Sequence, residues 1–206
     1  MRDSAIYQGV ISKECKKFLN GFLSYNNKTL PIEIRLKGDW IDHVVGKKWS
    51  FRIKVKQGQT FNGLKEFSVQ SPETRDFLIE WMFHKICEKE DILTTRYNFY
   101  TLKINGYNLG VYALEEHFTK HLLEAKERRE GPILKFNEEG FWECNIYNKA
   151  NNEWAKKPVY ESSTIMPFKP KKTLQTKRLK NQFLIAQNLM LKYKLGEPNP
   201  NQYLDI

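Results

Sequence analysis

Thr29-Leu30-Pro31-Ile32-Glu33-Ile34-Arg35-Leu36-Lys37 and Trp49-Ser50-Phe51-Arg52-Ile53-Lys54-Val55 both alternate apolar and polar residues. In the first run Leu30, Ile32, Ile34 and Leu36 share one side, and Glu33, Arg35 and Lys37 the other. In the second, Trp49, Phe51, Ile53 and Val55 oppose Ser50, Arg52 and Lys54. Period-two alternation marks a half-buried strand. If the two strands pair, Arg35, Lys37, Arg52 and Lys54 crowd one side of a sheet, beside a loop from Gly38 to Lys48 with Gly38 and Gly46 near its ends. Like charges so placed repel unless something negative lies among them. Two readings stay open here. The patch is the wet face of an antiparallel sheet, or it is a polyphosphate site where Arg, Lys and loop N–H groups meet phosphate oxygens.

Working outward, Lys16–Tyr25 and Thr29–Lys37 flank Asn26-Asn27 and read as a hairpin. Leu64–Gln70 reads as a further strand. Ser71-Pro72-Glu73 then supplies an N-cap, a first-turn proline and a first-turn acid. Phe77, Leu78, Trp81, Met82 and Ile86 recur at helical spacing, so Pro72–Glu90 is expected to be one helix with that stripe in the core. Glu80 lies beside the stripe, either solvated or at a buried edge reaching a lysine of the sheet. Tyr97–Ile104 and Tyr107–Leu114 flank Asn105-Gly106, a strong hairpin signal. The hairpin runs into Glu115-Glu116-His117, and a helix is expected to follow through about Arg129, with Phe118, Leu122 and Ala125 inward. His117 and His121, four apart, lack a third ligand or an H-E-x-x-H pattern and read as a surface pair. Pro132–Phe136 reads as a short strand and Asn137–Met166 as loop-rich. Thr173–Leu195 reads as a long helix with Leu179, Phe183, Ala186 and Met190 periodic, stopped by Gly196 and Pro198. With no internal repeat and no splitting linker, the expectation is one α+β domain over 1–206. Its antiparallel, sheet-rich part covers 1–114 with a packed helix, and helices follow over 115–206.

The 206 residues are 40% hydrophobic, 14% aromatic and 28% charged, a composition that buries a core and excludes a disordered chain. No apolar run approaches the roughly 18 residues that cross a bilayer, and Met1–Ile11 has no signal-peptide pattern. Cys15, Cys87 and Cys144 lie far apart, which fits reduced thiols better than zinc or a disulfide framework. Net charge is +10, and between Lys169 and Lys194 there are eight Lys or Arg and no acid. Such a run is ordinarily a solvated face. No homeodomain, zinc-finger or RNA-recognition pattern accompanies it, so nucleic acid is not expected as a partner.

This order of elements is that of a protein-kinase small lobe and hinge, and the sequence resembles the CotH family, atypical kinases named for spore-coat protein H. Arg35-Leu36-Lys37-Gly38-Asp39-Trp40 and Lys47-Lys48-Trp49-Ser50-Phe51-Arg52-Ile53-Lys54 are similar to that family's R-x-[RK]-G and K-K-x-[SY]-[FY]-[RK]-[IL]-K segments. Arg75 matches an arginine the family carries in the helix. Asn105-Gly106 with Gly110-Val111-Tyr112-Ala113-Leu114-Glu115-Glu116 is similar to its N-G…G-x-Y-x-x-x-E segment. The likeness spans residues 30–136, and neither the Gly-rich kinase loop nor the Walker pattern is present.

The resemblance implies Mg²⁺- and ATP-dependent transfer of the γ-phosphate to a protein Ser or Thr. It implies Lys54 as the strand lysine on the α- and β-phosphates and Glu80 as the carboxylate that positions it. Arg35, Lys37 and Arg52 would add phosphate contacts, the loop opening at Gly38 would cover them, and Glu116 would stand near the adenine. Counterparts of the family's metal-binding Asp residues are missing: after Glu161 the acids are Glu197 and Asp205. Metal ligands are therefore expected beyond Ile206, with Tyr203-Leu204-Asp205-Ile206 opening a further helix. A domain incomplete in this way is expected not to transfer phosphate alone. Spore or cell surface is the location the resemblance implies. Two other functions compete: an inactive, pseudokinase-like interaction module, and a basic polyanion-binding domain.

Overall fold

Asn26 and Asn27 adopt φ of 47° and 59°, and Asn105 and Gly106 adopt 51° and 85°, the left-handed pairs that close two-residue hairpins. The computed structural model describes residues 1–151 and 163–197. The chain divides into two compact units, Met1–Glu127 and Arg128–Ile206.

The first unit runs α1 (Arg2–Gln8), β1 (Leu19–Tyr25), β2 (Lys28–Leu36), β3 (Phe51–Val55), β4 (Glu66–Gln70), α2 (Ile79–Lys89), β5 (Tyr97–Ile104), β6 (Tyr107–Glu116) and α3 (Lys120–Ala125). The strands form one curled sheet in the order β1-β2-β3-β4-β6-β5, antiparallel throughout. Arg35 stands opposite Arg52 and Ile34 opposite Ile53, so the two alternating runs pair as neighbours in phase. On the apolar face Ile32, Ile53, Phe67, Val69, Tyr112 and Leu114 form the core, closed by Phe61 and Leu64 of the β3–β4 connection. Each such side chain contributes about 1.5–3 kcal/mol by leaving water. A smaller cluster of Ala5, Ile11, Cys15, Leu36 and Val44 fastens α1 and the 38–48 loop to the end of β2.

The helix expected over Pro72–Glu90 is two pieces. Pro72–Arg75 is a single 3-10 turn, Asp76 and Phe77 take φ of 49° and 59°, and α2 begins only at Ile79. Two consecutive left-handed residues cannot continue a right-handed helix. The stripe is also not core: Phe77, Leu78, Met82 and Ile86 are exposed, while His84 and Cys87 are the buried residues of α2. β6 continues to Glu116, and the helix expected after His117 is the short α3, ending at Ala125 and not at Arg129; in it Leu122 and Leu123 are buried and Ala125 is exposed.

In the second unit β7 (Leu134–Phe136) pairs antiparallel with β8 (Ile165–Pro167), accompanied by α4 (Glu139–Asn151), α5 (Pro170–Gln175) and α6 (Lys177–Lys194). Helix α4 corrects the loop-rich reading. Phe141, Trp142, Ile146 and Tyr147 are scattered around the helix instead of forming a stripe, so no periodicity announced it. Residues 152–162 of that segment, Pro198 and Tyr203–Ile206 lie outside the described residues. The long C-terminal helix is interrupted at Thr176, whose backbone is extended and whose Oγ1 donates to the Lys172 carbonyl. Leu179 and Phe183 are buried, and Gly196, at φ 69°, donates its N–H to the Tyr193 carbonyl as a helix stop does. Among the described residues no helix is long and apolar enough to cross a membrane.

Candidate functional site

Strand alternation and register bring Arg35 from β2, Arg52 and Lys54 from β3, and Lys37 just past β2 onto one face of the sheet. They are not splayed into solvent. The side chains of Lys37 and Arg52 are 14% and 12% exposed, that of Lys54 38%. Carboxylates stand among them. Register puts Lys54 opposite Glu66, and Arg52 opposite Ser68, which in turn faces Glu115 of β6. Arg52 Nε donates to Glu66 Oε1 at 3.0 Å, and Lys54 Nζ lies 3.9 Å from the same oxygen. Phe18 lies beside the remaining charge: Lys54 Nζ is 4.4 Å and Arg35 Cζ 5.2 Å from its ring centroid, both cation–π distances. Burial pushes both guanidinium groups down from their ordinary value, and for Arg35 the facing Arg52 adds to this.

Lys37 is the centre of this face. Its Nζ donates to Glu115 Oε2 and to Gln70 Oε1, both at 2.7 Å. Desolvation pulls the ammonium's pKa down, and Glu115 opposes that pull. Beside it lies a second pair, Arg75 Nε to Glu80 Oε2 at 3.0 Å, with His84 Nε2 3.9 Å from the other Glu80 oxygen. Desolvation alone would raise the Glu80 carboxyl. His84, Arg75 and Lys37 together outweigh it and hold the group below its ordinary value. His84 is fixed from two sides, by a short hydrogen bond to Thr94 Oγ1 and by stacking on Tyr97 at 5.1 Å. Lysine paired to carboxylate at a partly dry edge is costly to break from one side, because the survivor keeps an uncompensated charge.

The expected site residues thus separate into groups. Arg35, Lys37, Arg52 and Lys54 do share a face, and Glu80 is near Lys37. The pair of Lys54 with Glu80 does not form: Glu80 is held by Arg75, Lys54 by Glu66. Glu116 faces the other way, since it follows Glu115 in a strand and stands opposite the core residue Phe67. It grips Arg96 with two hydrogen bonds of 2.8 Å. Gly38 belongs to a packed corner, where His43 and Val44 are buried and His43 Nδ1 meets Ser50 Oγ at 2.8 Å. His121, read as half of a surface pair, has its Nε2 2.8 Å from the Gly63 carbonyl.

Glu115, Gln70 and Phe18 were not singled out from the sequence. Glu115 becomes visible only when β6 is known to reach Glu116 and to lie beside β4. Among the described residues no group of three or more His, Cys, Asp or Glu could hold a metal ion.

A family model described as CotH kinase protein matches residues 34–192, which is most of the 206-residue chain and takes in the whole cationic face. No curated protein matches the chain.

Proposed function

The chain belongs to the CotH kinase family, and on that premise we propose that its cationic sheet face binds the phosphates of ATP for transfer of the γ-phosphoryl group to a protein Ser or Thr. The acceptor hydroxyl oxygen bonds to the γ-phosphorus as the bridging P–O bond breaks; ADP leaves and the hydroxyl proton is released. Such transfer is stabilised mainly by positioned positive charge. Lys37 takes the role that the sequence alone suggested for Lys54, with Arg35, Arg52 and Lys54 around it. The observation that carries this reading is the Lys37 ammonium, desolvated and held at 2.7 Å by both Glu115 and Gln70, with the Glu80–Arg75 pair alongside. An ammonium fixed by two acceptors loses little freedom when a phosphate oxygen takes its third hydrogen. Mg²⁺ would accompany the nucleotide and neutralise part of its phosphate charge.

A binding-only module is the second reading, favoured by one observation: Arg52 and Lys37 are already compensated by Glu66 and Glu115. Thermal unfolding with Mg·ATP, adenosine and no ligand separates nucleotide binding from its absence. At 100 times its dissociation constant Mg·ATP is expected to stabilise by about 2.7 kcal/mol, while adenosine at equal concentration leaves the midpoint unchanged. Equal shifts with adenosine, or none with Mg·ATP, contradict phosphate recognition. Binding without transfer of labelled γ-phosphate to Ser or Thr of a mixed protein acceptor favours the module.

A further inference from the structure

The apolar face of the six-stranded sheet, opposite the cationic one, encloses a hollow of about 560 Å³ near β1. That volume lies within the roughly 300–1,000 Å³ of small-molecule sites. Leu19, Leu23, Ile34, Ile53, Leu102 and Ile104 supply apolar walls. The hollow has a cause in the sequence. The inward positions of β1 are Leu19, Gly21 and Leu23, and the middle one carries no side chain. A Cβ there would meet Ile32 at 3.7 Å, an ordinary contact, so neither crowding nor a left-handed backbone demands glycine.

Charge at the hollow has one sign. Arg2, Lys17, Arg35 and Lys103 line it, and no Asp or Glu does; Arg35 is held by its Nη1 donating to the Leu36 carbonyl. Arg2 is occupied, its Nε donating to the Val44 carbonyl and its guanidinium lying 5.0 Å from the centroid of Trp49. The side chains of Lys17 and Lys103 have no hydrogen-bond or ion-pair partner among the described residues. An apolar cleft with unpaired cations at its edge is complementary to an amphipathic anion. We propose that this hollow binds a single-chain acyl carboxylate, its chain against Ile34, Ile53 and Leu102 and its carboxylate at Lys17 and Lys103. The proposal does not rest on nucleotide binding: Lys17 and Lys103 are not among the cations proposed for phosphate, although Arg35, which is, also borders the hollow.

Calorimetric titration of the protein with dodecanoate, and with dodecyltrimethylammonium of equal chain length, tests it. Dodecanoate is expected to bind saturably and about fivefold or more tighter than the ammonium, the scale of two exposed charge contacts. Gly21→Phe should weaken dodecanoate about tenfold by displacing roughly two methylenes of the chain. Lys17→Glu combined with Lys103→Glu should remove the preference for the anion. Should Gly21→Phe fail to fold by circular dichroism, Leu102→Trp fills the same space from the facing wall. No saturable binding, equal binding of the ammonium, or full affinity in the filled variants overturns the proposal. Binding to phosphatidylglycerol vesicles without saturable binding of dodecanoate also overturns it, assigning the face to a membrane surface.

Discussion

A Cβ on Gly38 would lie 2.0 Å from His43 Cδ2, and the φ of +98° there is one that side chains rarely tolerate. Gly38→Ala therefore meets a buried ring and a strained backbone together, and is expected to cost about 2–5 kcal/mol, read from the urea midpoint. A loss below 0.5 kcal/mol, on the order of an ordinary surface change, contradicts this packing. His43 makes the same corner sensitive to acid. Burial pushes its pKa down to about 4; Asp42 works against this, and Lys37 and Arg75 reinforce it. The unfolded chain, with an ordinary His near 6.5, binds the extra proton first. Stability present above pH 6.5 is therefore lost as pH falls toward 4, by on the order of 3 kcal/mol. His43→Asn should flatten that part of the stability–pH curve, and an unchanged slope contradicts the assignment. Residue types were legible from the sequence: alternation named Arg35, Lys37, Arg52 and Lys54. Partners were not, because choosing Glu115 over Glu116 needs the β4–β6 register, and a one-residue slip exchanges the two faces.

Helix α2 shows what periodicity alone leaves undecided. Phe77, Leu78, Met82 and Ile86 have the spacing of a buried stripe, yet all four are more than half exposed, and the residues α2 buries are His84, stacked on Tyr97 of β5, and Cys87. Spacing reports which residues share a face and is silent about which face meets the core. Met82→Gln is accordingly expected to change stability by no more than about 0.5 kcal/mol. Leu122→Ala in α3, at a fully buried site, should cost about 2–5 kcal/mol. Chemical denaturation of the two variants side by side checks this, and a multi-kilocalorie loss from Met82→Gln contradicts the exposed face. Hairpins were the most legible elements, since Asn-Asn and Asn-Gly supply the left-handed turn from within. Helix α4 was the least, having no apolar stripe to read.

At the scale of the molecule, the first unit is a curled sheet with two unlike faces: one apolar, with a core and a hollow, the other carrying four cations threaded by carboxylates. Two alternating strands sufficed to foresee that division. The neutralising glutamates were not foreseeable, because they arrive from β4 and β6, elements distant in sequence from the cations they meet. In the proposed nucleotide site Lys37 is the pivot of the cationic face and Lys54 its margin. Equilibrium titration of a fluorescent ATP analogue with Mg²⁺ into wild type, Lys37→Met and Lys54→Met, each confirmed folded by circular dichroism, measures that ordering. Loss of a charge-assisted contact predicts about 10- to 100-fold weaker binding for Lys37→Met and a roughly two- to fivefold change for the more exposed Lys54→Met. Unaltered binding by Lys37→Met, or the larger loss in Lys54→Met, would contradict it.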